Sequence, residues 1–379
     1  MTQELEAIGA AFEIPGDFAG AALLKSGHIH DTFAATYRGG ETPRRYVHQR
    51  LNGRVFHDLG ALMDNLVRIT RHQWEVLRSA GVPDAERRCL RLVPTRDGRP
   101  FHVASDGGTW RTFRFLEGAR SRDTIEAPTQ ACQVARAFGS FAATLRNLPP
   151  PPLSITIPGF HDLGARFAAF EEAVAADSHQ RVSSIPSEID RAAAHFHDLE
   201  RLLAECGFAG LPPRIVHNDC KIDNVMLDDA TGEGLCVIDL DTVMEGTVLC
   251  DFGELVRTGT SRSPEDEVDL ASISFELELF RAATRGYMAG AASFLGAEEI
   301  GILPLAGPVM ALENAIRFLT DHLSGDVYFR VRREAHNLDR FQAQLRLVEL
   351  MSERREEMRA IVEEAWRGTR TRAEQSARN

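Results

Sequence analysis

Short runs that alternate apolar and polar residues, broken by glycine, proline and charge, fill the first 115 positions of the chain. Alternation at every second residue turns one face of a strand towards a core. On that basis Ala21–Leu24, Thr32–Tyr37 and Arg45–Arg50 read as three successive strands. Phe101–Val103 and Thr109–Phe115 read as a hairpin around Asp106-Gly107-Gly108. Beyond and between them the period changes. Leu59, Leu62, Leu66, Ile69 and Trp74 recur at helical spacing and predict a helix from about Asp58 to Arg78; Val134, Phe138, Phe141 and Leu145 do so for Ala127–Leu148. Pro149–Pro152 then stops the chain as a stiff spacer. Helices are expected over Arg166–Ala176 and Ser187–Gly207. Residues 264–368 read as largely helical, with turns at Gly296 with Ile300–Pro304 and at Leu323–Phe329. Residues 369–379, polar and basic without apolar periodicity, are expected to form a disordered tail. A sheet-rich first third followed by helices is an α+β pattern.

Candidate chemistry lies in one stretch, His217-Asn218-Asp219-Cys220-Lys221-Ile222-Asp223-Asn224. The apolar pair Ile215 and Val216 precedes it, and Val225–Leu227 follows as a strand. Asp228, Asp229, Thr231 and Gly232 make a turn into a second strand, Leu235–Ile238, which ends on Asp239. Phosphoryl transfer from a nucleotide requires a carboxylate beside the attacking hydroxyl and oxygen ligands that hold Mg²⁺ against the phosphates. Asp219 is placed for the first task, Asn224 and Asp239 for the second. A second candidate set is Glu313, Arg317 and Asp321, spaced four apart and so on one face of a helix. Charges inside that apolar run either pair with one another or line a polar pocket. Tyr328, on the next turn, adds an aromatic hydroxyl.

Composition limits the partners. The chain has 379 residues, 44% hydrophobic and 26% charged, with a formal net charge of −12. That is the profile of a globular enzyme long enough for two lobes, and its charge excludes nucleic acid and anionic membranes as partners. Cys89, Cys132, Cys206, Cys220, Cys236 and Cys250 form no metal-ligand spacing and read as reduced thiols of a cytoplasmic protein. No signal peptide or membrane span is expected.

The loop, strand, turn and acid-ended strand resemble the catalytic hairpin of the protein-kinase-like fold, in its aminoglycoside phosphotransferase and choline kinase branch. The resemblance implies two lobes, a nucleotide-covering lobe over residues 1–116 and a catalytic lobe over 117–368, with ATP and Mg²⁺ between them. It implies that Lys221 reaches the transferring phosphate and that the hairpin Lys25–Thr32, through Asp31 and Thr32, lies over the nucleotide. Kinases carry a phosphate-gripping lysine on the third strand; here Tyr46–Asn52 has none, and Gln49 or Arg50 is left to supply the contact. Asp64 stands where a glutamate normally pairs with that cation. Phe113–Gly118 is the implied hinge, where the backbone of Arg114 and Leu116 meets the adenine edge. Asp251-Phe252-Gly253 is not the metal motif, since Asp239 already has that place; Asp251 is expected to cap a helix and brace the catalytic loop.

Residues Ile316–Asp321, Gly325–Phe329 and Asn337–Arg340, with Tyr46–Asn52, Phe160-His161-Asp162, His217–Leu227 and Ile238–Met244, resemble the N-acetylhexosamine 1-kinases. That implies a small-molecule sugar acceptor phosphorylated at its anomeric hydroxyl, with Asp219 as base and Arg317 and Tyr328 on the sugar. The alternatives are an aminoglycoside or amino-alcohol kinase, for which Glu313 and Asp321 would offer acidic contacts, and a catalytically weak nucleotide binder.

Overall fold

The computed structural model describes residues 2–24 and 30–376. The tip of the expected phosphate-covering hairpin, residues 25–29, lies outside them.

The N-terminal lobe holds β1 (Asp17–Leu23), β2 (Asp31–Arg38), β3 (Arg44–Arg50), β4 (Leu92–Val93), β5 (His102–Val103) and β6 (Thr109–Arg114). Their order is β1-β2-β3-β6-β4, with β5 beside β6, and every pairing is antiparallel. Two helices sandwich this sheet. Helix α1 (Thr2–Ala11), not predicted from the sequence, packs Leu5 and Ile8 with Phe33, Tyr37, Tyr46 and Trp110 on one face. Helix α2 (Leu59–Ser79) buries Met63, Leu66 and Ile69 on the other. Asp58 fixes its start, accepting the Ala61 N–H at 2.9 Å, as an N-cap does. Met63, Leu66, Ile69 and Phe113 belong to the same apolar cluster as the helices beyond residue 117, so one core runs through both lobes.

The second lobe begins with β7 (Ala119–Arg120), which pairs with β9 (Val225–Asp228); β9 pairs in turn with β10 (Gly234–Val237). The predicted catalytic hairpin is therefore present and has a third strand. β8 (Arg214–Val216) and β11 (Met244–Gly246) form a separate pair on either side of it. Helices α3 (Pro128–Leu145), α4 (Leu163–Ala176), α5 (Pro186–Glu205), α6 (Val248–Gly259), α7 (Leu277–Ala291), α8 (Ala297–Leu323), α9 (His336–Glu353) and α10 (Arg355–Ser376) complete the lobe. Helices α3 and α7 cross with backbones nearly touching. A methyl group on Gly139 would lie 2.5 Å from the Tyr287 carbonyl oxygen, so glycine is required there.

Two expectations are corrected. The turn predicted at Ile300–Pro304 is absent, because α8 runs unbroken through Pro304 and Pro308. Each internal proline costs a helix about 3 kcal/mol. Against that, Ile302, Leu303, Met310, Leu312, Ile316 and Leu319 are all completely buried, and each such side chain contributes about 1.5–3 kcal/mol. Packing outweighs propensity. Helix α8 is also long and apolar enough to cross a membrane by length and composition, but 94% of that apolar window is buried inside the fold, where it is the central helix of the lobe. The second correction concerns the tail: α10 continues to Ser376, well past the end of its apolar periodicity. There Thr369 and Thr371 return their hydroxyls to the carbonyls of Ala365 and Arg367, one turn back, at 2.8 and 3.1 Å.

Candidate functional site

Strand β8 delivers the chain into the loop 217–224, and buried groups fix each step of that loop. Asp251, in the first turn of α6, accepts the backbone N–H of His217 at 3.0 Å and of Asn218 at 2.7 Å. It braces the loop as expected; the capping position itself is Thr247. Asn218 takes a left-handed conformation (φ 64°), which asparagine tolerates better than most residues, and its side chain donates to the Thr242 carbonyl at 2.9 Å. The His217 ring sits edge-on between Phe138 and Phe141. Its Nε2 lies 3.0 Å from the Ile238 carbonyl, and its Nδ1 accepts the Asp219 N–H at 3.3 Å. This brace aims Asp219 out of the loop. One carboxylate oxygen meets the Lys221 ammonium at 2.7 Å, and the other accepts from Asn224 Nδ2 at 3.0 Å. Burial alone would depress the Lys221 pKa, but Asp219 and Glu254 carry it net upward, so the side chain stays cationic.

Asn224 Nδ2 also donates to the Asp219 carbonyl at 2.9 Å, which leaves the amide oxygen, not the nitrogen, available towards the cleft. Asp239 follows β10 in a left-handed conformation (φ 59°) and its side chain is open to solvent between the lobes. Surrounding protein, then Asp241 and Asp219, push its carboxyl up to about 6. Desolvation and like charge disfavour its ionised form, which a cation beside it would favour. Among the described residues no cluster of three or more His, Cys, Asp or Glu forms a self-contained metal cage. Mg²⁺ is commonly held by one or two protein oxygens, with water and phosphate completing its shell. Asn224 Oδ1 and Asp239 fit that description.

The N-terminal lobe separates Gln49 from Arg50. Strand alternation turns them to opposite faces. Gln49 faces the cleft side, donating to Thr32 Oγ1 at 3.1 Å and accepting from Arg111 Nε at 2.9 Å. Arg50 points the other way, pairing with Asp106 at 2.6 Å, and is not brought to the site. Asp31 lies opposite Arg50 in register, on that same remote face, whereas Thr32 lies opposite Gln49. Asp64 is exposed, and its neighbour Asn65 is buried instead, exchanging two hydrogen bonds with the Ser154 backbone at 2.8 and 2.9 Å. At the hinge the Arg114 side chain is exposed and Leu116 packs on the main core. Arg87 pins the following turn through the carbonyls of Glu117 and Gly118 and the Asp228 carboxylate.

On the opposite wall, Glu313 is buried on α8 and hydrogen-bonds His161 at 3.0 Å, while His161 Nε2 reaches the Asn218 carbonyl at 2.8 Å. Arg317, one turn along, is 3.9 Å from Glu313 and lies over the Phe329 ring. Glu313 and Arg317 are thus joined to the catalytic loop. Asp321 is not. Its oxygens accept the N–H groups of Val327, Tyr328 and Phe329 and the Asn337 amide, all at 2.8–3.0 Å, so it closes a turn and has no oxygen free for an acceptor. Tyr328 is 73% exposed on that turn.

Residues 66–283, more than half of the chain, match the phosphotransferase enzyme family. The chain belongs to that family. Solved structures of the same fold cover nearly the whole phosphotransferase. A microcompartment-associated aminopropanol kinase aligns over 93% of this chain and 97% of its own, at 16% identity and a TM-score of 0.62. An aminoglycoside phosphotransferase from Alicyclobacillus acidocaldarius aligns over 96% of both chains, at 14% identity and a TM-score of 0.61. A spectinomycin phosphotransferase in complex with ADP and spectinomycin aligns over 93% of this chain and 98% of its own, at 14% identity and a TM-score of 0.53.

The phosphotransferase is thus an ATP-dependent enzyme that acts on hydroxyl acceptors of small molecules, and its two-lobed α+β fold is the one expected. Asp219 meets the Lys221 ammonium with one oxygen and the Asn224 amide with the other, and Lys221 holds its positive charge beside it. Sequence reasoning passed over three residues that the structure makes central. Arg111 and Asp241 form a buried two-pronged ion pair at 2.5 and 2.8 Å, and His30 adds a third bond to Asp241 at 2.7 Å. Burial alone would raise the Asp241 pKa, but Arg111 and His30 hold it well below the usual carboxylate range. Only the second aspartate in Ile238-Asp239-Leu240-Asp241 hinted at this.

Proposed function

We propose that the enzyme transfers the γ-phosphate of Mg²⁺-bound ATP to an uncharged sugar, an N-acetylhexosamine, at its anomeric hydroxyl. Asn224 and Asp239 would hold the metal, which when bound draws charge from the phosphates. Asp219 takes the proton of the attacking hydroxyl as the bond to the γ-phosphorus forms and the bond to ADP breaks. An anomeric hydroxyl is more acidic than other sugar hydroxyls, so it suits a carboxylate base. The observation that carries the acceptor class is the state of the α8 carboxylates. Glu313 is already met by His161 and Arg317, and Asp321 accepts four N–H groups. A cationic amine therefore finds neither Glu313 nor Asp321 free, whereas Arg317 offers donors to a neutral oxygen-rich ligand. The resemblance of Ile316–Phe329 to the N-acetylhexosamine 1-kinases agrees with this.

A second reading, phosphorylation of an amino alcohol or aminoglycoside, is favoured by the solved structures of the same fold, which include an aminopropanol kinase and an aminoglycoside phosphotransferase. ADP release across N-acetylglucosamine, N-acetylgalactosamine, aminopropanol and an aminoglycoside separates the two. The sugar reading predicts turnover with an N-acetylhexosamine and loss of its reducing end in equal proportion to ADP. Turnover with an amine-bearing acceptor alone contradicts it, and ADP release with the reducing end intact contradicts the 1-kinase assignment.

A further inference from the structure

We propose that Arg111 is a positioning residue for the metal segment and does from β6 what no side chain of β3 does in this chain. On β3 the cleft-side residue is the neutral Gln49, and Arg50 faces away in its pair with Asp106. Arg111 stands directly opposite Gln49 in the β3–β6 register. Its Nε donates to Gln49 at 2.9 Å and its two terminal nitrogens grip both oxygens of Asp241. Guanidinium geometry matches a carboxylate in this two-pronged way, which fixes direction as well as distance. Both side chains are only 2% exposed, so Arg111 acts on the segment and not on phosphate.

Asp241 lies two residues after Asp239, within the tight turn that the left-handed Asp239 begins. The turn is held from two sides. From the N-terminal lobe come Arg111 and His30, whose other ring nitrogen accepts the Asn52 N–H at 3.1 Å and whose ring stacks on Phe56. From the catalytic side come Asn218, donating to the Thr242 carbonyl, and Thr242, donating to the His217 carbonyl at 2.7 Å. The bond from Thr156 to the Asp241 carbonyl at 3.0 Å closes the cage. The spacing between Asp239 and Asp219 is thereby set by a clamp that crosses from one lobe to the other. The Arg111 charge answers that of Asp241, so Asp239 is left to face a cation.

This inference rests on Asp239 as a metal ligand and on no particular acceptor, so the test uses none. ADP binding is titrated calorimetrically with and without Mg²⁺ for the wild type and for Arg111→Lys, which keeps the charge and loses the fork. The expected result is that Mg²⁺-bound ADP weakens by about tenfold or more, the scale on which groups that orient metal ligands act, while metal-free ADP changes by less than about twofold. Equal weakening of both, or of neither, overturns the proposal. A second variant, Arg111→Met with Asp241→Leu, removes both charges together and so leaves no lone buried ion. It should lose the same metal-dependent part of binding. Wild-type affinity for Mg²⁺-bound ADP in that variant also overturns the proposal, and neither result depends on which sugar is phosphorylated.

Discussion

Asp219, Asp239, Asp241, Asp251 and Asp321 carry the same functional group, and their tasks differ only through what already occupies their oxygens. Asp251 and Asp321 are filled by backbone N–H groups, Asp241 by Arg111 and His30, and Asp219 by Lys221 and Asn224, whereas Asp239 has no hydrogen-bond partner among the described residues. Two substitutions on α8 follow from that distinction. Asp321→Ala should leave three backbone donors without their acceptor, costing at least about 2 kcal/mol of stability. Its thermal midpoint should fall while the acceptor KM of the surviving fold stays near wild type; a rise in acceptor KM alone would return Asp321 to the binding surface. Arg317→Ala should do the reverse, raising the acceptor KM much more than the ATP KM. If that variant instead loses thermal stability at unchanged acceptor KM, Arg317 belongs to a structural network.

Among the elements, α8 matters most for the site and was the least legible. Gly301 and Pro304 signal a break locally, whereas Gly296 marks the true start of the helix. The burial that overrides that break comes from α4 and α6, far away in sequence, and from α9, the next helix along the chain. The spacing of Glu313, Arg317 and Asp321 puts them on one face, but spacing does not say which of them meets a distant partner. His161 is such a partner, and through it α8 is tied to the catalytic loop. Burial by itself would lower the His161 pKa, but Glu313 and the Asn218 carbonyl carry it net upward. A histidine whose folded pKa is raised contributes stability that is complete below its unfolded value of about 6.5 and is lost as pH rises through the folded value. The thermal midpoint of the wild type should therefore exceed that of Glu313→Gln most clearly below about pH 6.5, with the gap narrowing as pH rises. A gap independent of pH would mean that the His161–Glu313 bond does not involve a charged imidazole.

At the scale of the whole molecule, the two lobes share one apolar core and meet at a cleft whose floor is the loop 217–224 and the turn at Asp239. The hairpin was legible, because phosphoryl transfer demands a fixed order and spacing of Asp219, Asn224 and Asp239 along a contiguous stretch; the shared core was not, because contacts between distant segments close it. The nucleotide side was only partly legible. The absent β3 lysine left Gln49 and Arg50 open, and the buried cation proved to sit on β6, where only strand pairing brings Arg111 to Gln49. Pairing between distant strands leaves no local mark in a sequence. The central claim is that Asp219 is the base of a phosphoryl transfer whose metal is held elsewhere, by Asn224 and Asp239. Its most direct test is Asp219→Asn, measured for turnover and for Mg²⁺-bound ADP affinity in the same preparation. Loss of a general base costs ~10²–10⁴ in rate, so kcat should fall by about that factor while nucleotide affinity stays near wild type. A variant that keeps more than about half of the wild-type kcat, or that loses nucleotide binding in step with turnover, contradicts the account.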